Sequence, residues 1–112
     1  MILITGAGGS VGRSLLRGLH ERGIASRAFV KNADQGRVAL SDGATEIVVG
    51  DVRSRDDIVA AADGVTRIYH ANPTSIVREV FIAEYIVEAA RKHGVEHVVY
   101  HSVIHPDIAE MF

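Results

Sequence analysis

The chain has 112 residues with a formal net charge of -2, and its mixture of 47% hydrophobic and 23% charged residues predicts one globular domain over residues 1–112. The balanced charge argues against a nucleic-acid-binding protein, and the absence of cysteine excludes disulfides, thiolate metal sites and a cysteine nucleophile. The apolar stretch 1–5 is too short for a membrane span and follows no positive region, so we expect a soluble, cytoplasmic protein.

Strands and helices are predicted to alternate along the whole chain. Four glycines each separate a polar or amphipathic stretch from an apolar run: Gly23, Gly43, Gly64 and Gly94. Glycine is favoured just past a helix because it adopts the left-handed conformation at little steric cost, and the β-branched runs that follow are typical of strands. The predicted elements are β1 1–5, α1 10–22, β2 24–30, α2 33–42, β3 44–50, α3 54–63, β4 65–70, α4 75–93 and β5 95–103.

Two helix starts carry capping signals. Asn32 with Gln35, and Ser54 with Asp57, place a capping side chain before a helix and a polar partner three residues later. Strict alternation of strands and helices implies a parallel sheet covered by helices on both faces. With right-handed crossovers, we predict a three-layer, doubly wound α/β fold of the Rossmann type, with five strands in the order 3-2-1-4-5.

A glycine-rich turn joins β1 to α1, and it fits Gly-x-x-Gly-x-x-Gly through Gly6, Gly9 and Gly12. A glycine allows the tight turn after the strand, a second leaves room for a pyrophosphate, and a third lets the helix pack closely on the sheet. The N–H groups of the first helical turn, at Ser10 and Val11, would face the anion. The turn therefore predicts a dinucleotide-binding site, and the alternative is a tight turn without a ligand.

Two other phosphate chemistries use the same region. A P-loop would need glycine and lysine where this chain has Ala7 and Arg13. A phospho-acceptor domain would use Asp51 at the end of β3, but glycines follow β1 where such a domain needs acids to hold magnesium. Both alternatives fit the residues less well than dinucleotide binding.

The residue at the end of β2 bears on the choice of cofactor. An acid there would receive the ribose hydroxyls of NAD, whereas a cation accommodates the extra phosphate of NADP. Lys31 occupies this position, Arg13 offers a second charge, and Asp34 lies three residues further on. We therefore predict NADP, with NAD as the second choice; the alternative for Lys31 is a solvated loop lysine.

Two further loops would complete the cofactor site. Asp51 and Val52, after β3, are candidates to contact the adenine ring, although Asp51 fits equally well as a residue that starts the next helix. After β4, the backbone of Ala71 and Asn72 would border the nicotinamide ribose, because ligands lie outside the carboxyl ends of the strands.

Three segments together resemble the NmrA-like group of atypical short-chain dehydrogenases/reductases. They are Ile2-Leu-Ile-Thr-Gly-Ala-Gly-Gly-Ser-Val-Gly12, Val48-Val-Gly-Asp-Val52 and Gly94-Val-Glu-His-Val-Val-Tyr-His-Ser102. The resemblance implies an NAD(P)-binding Rossmann fold in a group that contains both NADPH-dependent reductases and redox sensors that bind the dinucleotide without turnover. The positions that match the group are Gly6, Gly9, Gly12, Lys31 (where arginine is usual), Asp51 and Ser102.

The chain also departs from that group. Its members are usually more than twice as long, so the resemblance covers their N-terminal portion and omits the lobe that closes over substrate. The Tyr-x-x-x-Lys pair of short-chain dehydrogenases is absent, because no tyrosine of this chain has a lysine four residues later. Ser102 matches the active-site serine of the group, where it would hydrogen-bond a substrate carbonyl; its alternative role is to cap the end of β5.

The remaining features concern metal binding and assembly. His70, His101 and His105 would approach one another at the carboxyl edge, but we expect no metal and interpret them as surface or supporting histidines. Self-association is predicted through the apolar helix 75–93 or, if nothing follows residue 112, through the uncovered edge of strand 95–103. Three functions stay open: an NADPH-dependent oxidoreductase whose substrate lobe is missing here, a non-catalytic NADP(H) sensor, and a self-associating fragment without a ligand. We expect this chain alone to be inactive, and the protein to be an NADPH-dependent oxidoreductase if its full sequence is longer.

Overall fold

The computed structural model describes residues 1–71 and 79–101. Within these ranges the predicted alternation of strands and helices is confirmed. The elements are β1 (Ile2–Thr5), α1 (Ser10–Glu21), β2 (Ser26–Val30), α2 (Ala33–Ser41), β3 (Glu46–Val49), α3 (Arg55–Ala61), β4 (Arg67–Ala71), α4 (Glu79–His93) and β5 (His97–His101).

Every strand that follows a helix starts two residues later than predicted. The reason lies in the end of the preceding helix and is the same in all four cases. Gly23, Gly43, Gly64 and Gly94 all have positive φ, between 65° and 105°. The residue after each glycine donates its N–H back to the preceding helix. These bonds are Ile24 to Leu19 (2.9 Å), Ala44 to Ala39 (3.0 Å), Val65 to Ala62 (3.1 Å) and Val95 to Ala90 (2.9 Å). These N–H groups satisfy helix carbonyls and so cannot join the sheet.

The five strands form one parallel sheet in the order β3-β2-β1-β4-β5, which confirms the predicted Rossmann-type topology. Ile4 pairs with Ala28 of β2 on one side and with Tyr69 of β4 on the other, which makes β1 the central strand. Thr5 pairs with His70 at the carboxyl end of the same ladder. The loops that follow β1, β2 and β3 therefore lie along one edge of the sheet.

Two hydrophobic clusters cover the two faces of the sheet. One contains α1 and α2, which pack Leu16 and Ala39 against Ile4 and Val30. The other contains α3 and α4; its buried members are Leu3, Phe29, Ile58, Val59, Ala61, Ala62, Val65, Ile68, Ile82, Ile86 and Ala89. Successive strand residues such as Phe29 and Val30 enter opposite clusters, as the alternation of side chains along a strand requires. The sheet is thus buried on both faces at its centre.

Both predicted helix caps form. Asn32 Oδ1 accepts from the Gln35 N–H at 2.8 Å, and Ser54 Oγ accepts from the Asp57 N–H at 3.2 Å. The polar partners reach back beyond the capping residue: Gln35 Oε1 accepts from the Lys31 N–H, and Asp57 Oδ2 from the Asp51 N–H. Each loop that leaves β2 or β3 is therefore tied to the helix that follows it.

Helix α4 and strand β5 expose apolar side chains in addition to those they bury. Phe81 and Val87 are 54% and 45% exposed, although Ile82 and Ile86 of the same helix are buried. Val98, Val99 and Tyr100 of the edge strand β5 are also exposed. No helix in the described ranges is long and apolar enough to cross a membrane.

Candidate functional site

The turn between β1 and α1 has backbone geometry that requires glycine at two positions. Gly6 has a φ of 69°, and its carbonyl oxygen accepts from the Gly9 N–H at 3.1 Å, which closes the turn. At Gly12, a Cβ atom would overlap the Gly6 carbonyl oxygen and lie 2.7 Å from the Cα of Ala7. Because these contacts are with backbone atoms, α1 packs against the turn only if residue 12 has no side chain.

The sequence at the N-terminus of α1 provides no side-chain cap and no acidic residue. Gly9 is the N-cap and makes no side-chain capping bond, and the first turn contains no acidic residue. The first helical bond joins the Arg13 N–H to the Gly9 carbonyl at 2.9 Å. The N–H groups of Ser10, Val11 and Gly12 therefore precede the first donor of the helical ladder, and Ser10 and Val11 are exposed. Such an end attracts anions through its N–H groups and the helix dipole.

Arg13 is engaged away from this end of the helix. Its Nε donates to Asp42 Oδ2 at 2.9 Å, and Asp42 is only 7% exposed at the end of α2. The hydrogen bond from Asp42 raises the pKa of the Arg13 guanidinium, and Arg17 lies 3.9 Å from the same carboxylate. Arg13 was expected from the sequence to offer a second charge to the cofactor, but the guanidinium instead neutralises a buried carboxylate.

Lys31 follows β2 directly and is exposed. Among the described residues, no carboxylate lies within ion-pair distance of its ammonium group. Asp34 forms an ion pair with Arg37, one turn further along α2. Lys31, the charged residue next to the end of β2, is therefore a cation without an ion pair among the described residues.

Asp51 makes the contacts of a residue that starts a helix. Its Oδ1 accepts from the Arg53 N–H at 2.8 Å and from Arg53 Nε at 3.1 Å, and its carbonyl oxygen accepts from the Ser54 N–H at 2.9 Å. The hydrogen bond from the Arg53 side chain lowers the pKa of the Asp51 carboxyl. Val52 packs at the border of the hydrophobic cluster of α3 and α4. These contacts support the helix-start interpretation of Asp51, and contact with an adenine ring stays a prediction.

His70 is buried, which excludes the surface role and fits the supporting role, the other alternative predicted from the sequence. The side chain is fully buried at the carboxyl end of β4, where its Nδ1 lies 2.5 Å from the hydroxyl of the equally buried Thr5. Its ring also lies 4.8 Å from that of Tyr100. The register explains the burial, because Thr5 and His70 are paired neighbours at the centre of the sheet. In the described part of the chain, no three residues form a metal-binding group.

Gly8 and Gln35 form a contacting pair that the sequence patterns did not predict. A Cβ atom at Gly8 would lie 2.6 to 2.8 Å from the carboxamide atoms of Gln35. Gly8 falls outside the Gly6, Gly9 and Gly12 frame, and Gln35 was interpreted only as part of a helix cap. The one signal in the sequence was a fourth glycine in the turn, at a position where the fingerprint does not require one.

Some predicted site residues are not described. Ala71 ends β4, and its backbone pairs with His101 of β5. Asn72, Ser102 and His105 lie outside the described residues, as does the predicted start of the fourth helix at 75–78. The structure therefore brings together the glycine turn, Lys31 and Asp51 at one edge of the sheet, and it does not test Asn72 or Ser102.

Relatives of this chain include an NAD(P)H azoreductase and a sterol demethylase protein. It is 37% identical over 111 residues to the sterol demethylase protein B of Methylococcus capsulatus, covering 89% of this chain and 33% of that protein. It is 29% identical over 99 residues to the NAD(P)H azoreductase of Xenophilus azovorans, covering 88% and 34%. The chain therefore spans about a third of the length of these curated relatives.

Solved structures share the fold. An NADPH-dependent quinone oxidoreductase from Escherichia coli superposes with a TM-score of 0.74 at 25% identity, covering 96% of this chain and 36% of that one. The triphenylmethane reductase of Citrobacter, solved with NADP(H), gives a TM-score of 0.70 at 24% identity, covering 97% and 41%.

A family model described as NAD(P)H-binding matches residues 6–111, which include the whole glycine turn and all elements from α1 to β5. The chain belongs to this NAD(P)H-binding family.

Proposed function

We propose that this chain is the dinucleotide-binding domain of an NmrA-like oxidoreductase and holds the pyrophosphate of NADP(H) on the turn formed by Gly6, Gly9 and Gly12. The observation that carries the proposal is the open N-terminus of α1, which has neither a side-chain cap nor an acid in its first turn. An N-terminus of this kind, directly after the central strand of the sheet, suits a bound diphosphate.

The residues of the turn fit a pyrophosphate in three respects. The N–H groups of Ser10, Val11 and Gly12 are available to donate, Gly9 presents no side chain to the anion, and Gly12 keeps the helix end against the turn. Ala7 is buried beneath the turn and holds it against the hydrophobic cluster of α1 and α2. The site therefore binds through backbone donors whose positions are set before the ligand arrives.

The preference for NADP(H) over NAD(H) rests on Lys31. The ammonium group follows β2, where the ribose of a bound dinucleotide is recognised, and it can pair with a 2′-phosphate. Asp34, the nearest acid in the sequence, pairs with Arg37, and no ion pair of Lys31 is found among the described residues. NAD(H) is the second choice, because it would use the same turn without the phosphate contact.

The remaining contacts complete the proposed site. Asp51 and Val52 would border the adenine, the backbone of Ala71 and Asn72 the nicotinamide ribose, and Ser102 the substrate carbonyl. When bound, NADPH supplies the hydride for reduction. We propose that residues 1–112 form this one domain and that the substrate lobe lies in additional sequence, since the curated relatives are about three times as long.

Calorimetric titration of the purified chain with NADPH and with NADH tests the proposal. We expect NADPH to bind more tightly, and Lys31→Ala to weaken NADPH by about tenfold or more while leaving NADH nearly unchanged. Lys92→Ala is the matched control, because Lys92 is the only other lysine and lies exposed in the last turn of α4. Folded protein that binds neither nucleotide would overturn the proposal.

A non-catalytic sensor is the second candidate function. This chain has no Tyr-x-x-x-Lys pair and therefore lacks the acid that short-chain dehydrogenases use, which favours the sensor. NADPH oxidation by the protein that includes the proposed substrate lobe, assayed with a quinone and an azo dye, separates the candidates. Tight NADPH binding with no oxidation above the rate without protein supports the sensor.

We also propose that two copies of the chain associate along β5. It is an edge strand of the described sheet, and its consecutive residues Val98, Val99 and Tyr100 are exposed on both faces. Light scattering should find a dimer that Val99→Lys converts to a monomer. A monomer at all concentrations of the unaltered chain would contradict this assembly.

A further inference from the structure

Gln35 folds back from α2 onto the end of β2. Its backbone N–H is held by Asn32 Oδ1 at 2.8 Å, which fixes the residue in the first turn of the helix. Its side-chain Oε1 accepts from the Lys31 N–H at 3.0 Å. Gln35 is therefore held at its backbone N–H and at its side-chain oxygen, and the residue is partly buried.

The same carboxamide rests on Gly8 of the glycine turn. A Cβ atom built at Gly8 would lie 2.6 Å from Gln35 Cδ, 2.7 Å from Oε1 and 2.8 Å from Nε2. Gly8 has no positive φ, and the three atoms nearest to such a Cβ all belong to Gln35, so this side chain is the closest obstacle to a side chain at residue 8. One side chain thus joins the turn after β1 to the loop after β2.

The hydrogen bond from Lys31 also orients the carboxamide. Since Oε1 is the acceptor, Nε2 carries both N–H donors, and neither has a partner among the residues described. These donors lie beside Gly8, on the carboxamide whose oxygen accepts from the Lys31 N–H. In a dinucleotide-binding fold, the adenosine ribose crosses between the glycine turn and the end of β2.

We propose that Gln35 is a ligand-binding residue of this site, whose Nε2 donates to the oxygen on the 2′ carbon of the adenosine ribose. The inference rests on the proposed dinucleotide binding. A neutral amide donor serves a 2′-hydroxyl and a 2′-phosphate alike, so Gln35 supports both nucleotides while Lys31 supplies the discrimination by charge. The Lys31 N–H bond adds a positioning role, because it fixes the loop that carries the lysine.

Substitution of Gln35 separates direct contact from positioning. Gln35→Ala should weaken both NADPH and NADH by about 3- to 10-fold, the loss of one hydrogen bond. Gln35→Glu keeps an acceptor for the Lys31 N–H but replaces the donor by a carboxylate. It should weaken NADPH by about tenfold or more through repulsion while NADH binding is kept. A Gln35→Glu protein with the unaltered ratio of the two affinities would overturn the direct contact.

Substitution of Gly8 tests the contact with the turn. Gly8→Ala displaces the carboxamide and should reproduce the effect of Gln35→Ala, and the double variant should be no weaker than either single variant. Gly18→Ala is the matched control, because a Cβ atom at Gly18 meets nothing within 4 Å. Additive losses would mean that the methyl group added by Gly8→Ala obstructs the ligand directly, and they would overturn the role assigned to Gln35.

The contact can be measured without a nucleotide. Hydrogen exchange at the Lys31 amide, followed by NMR, should be slow in the unaltered chain and faster in both Gln35→Ala and Gly8→Ala. If the unaltered chain binds neither nucleotide while Lys31 is protected, the proposed function has failed but the contact stands. If Lys31 exchanges equally in all three proteins, the inference about Gln35 is wrong even where NADPH binds.

Discussion

The N-terminus of α1 differs from those of α2 and α3. Asn32 and Ser54 cap α2 and α3 through their side chains, and both helices have aspartates in the first turn. Helix α1 has Gly9 as its N-cap and no acid in its first turn. Two helices thus satisfy one of their free N–H groups with a side chain and place acids beside the others, and the third keeps a positive end for an external anion. The two helices that are not assigned to the pyrophosphate carry a side-chain cap, and the helix that is assigned to it carries none.

The largest effect is expected from Gly12→Ala. The new Cβ would overlap backbone atoms of Gly6 and Ala7, which cannot move as a flexible side chain does. We expect loss of detectable NADPH binding and a decrease of about 2–3 kcal/mol in the free energy of unfolding, as for an overpacked site. Calorimetry and urea denaturation measure both quantities. Gly18→Ala, also in α1, should bind normally, and equal damage by both variants would contradict the steric explanation.

Val11→Asp makes α1 resemble the other two helices. An acid in the first turn should stabilise the protein by about 0.3–1 kcal/mol through the helix dipole. The same charge should weaken NADPH binding by about tenfold or more, because it repels the pyrophosphate. Val11→Asn, of similar size and without charge, is the control. Stabilisation without loss of binding would show that the nucleotide lies elsewhere.

Ser54→Ala removes a cap from a helix that has one. Loss of the Oγ bond to the Asp57 N–H should lower the free energy of unfolding by about 1 kcal/mol, measured by urea denaturation. Affinity for NADPH should change little, because the cap does not contact the glycine turn. A loss of binding as large as that of Val11→Asp would remove the distinction between the two kinds of helix end.

The smallest effect is the pH dependence of the loop that precedes α3. Arg53 lowers the pKa of Asp51 from its ordinary value of 3.8, so this contact stabilises the fold above that pH. The contribution is lost as the pH falls through the lowered pKa, and it is small because both side chains are about half exposed or more. The difference in unfolding free energy between the unaltered chain and Arg53→Ala should therefore shrink at acid pH. A difference that grows on acidification would contradict the assignment.

The order of elements and the sheet topology followed from local signals. The four glycines marked the helix ends and the capping pairs marked two helix starts, because both depend on backbone geometry within a few residues. The strand starts were wrong by two residues because backbone bonds to the preceding helix have no side-chain signature.

Contacts between distant segments could not be predicted in the same way. Arg13 was interpreted by its position in the glycine turn, but it bonds a carboxylate 29 residues away. The burial of His70 depends on Thr5, which lies 65 residues earlier in the chain. The contact of Gly8 with Gln35 likewise depends on how two loops meet at the sheet edge. Each of these needs the strand register as well as the residue type.

The central position of β1 has a consequence for how the chain folds. The paired residues Arg27 and Glu46 of β2 and β3 are 19 residues apart, whereas Thr5 of β1 and His70 of β4 are 65 apart. Loop-closure entropy rises with the logarithm of this separation, so the second pairing costs about 1 kcal/mol more. Residues 1–49 and 67–101 each contain strand pairs of shorter range, and the ladder between β1 and β4 joins them. We therefore expect the pairings within each half to form before the ladder between β1 and β4, which completes the edge that holds the glycine turn.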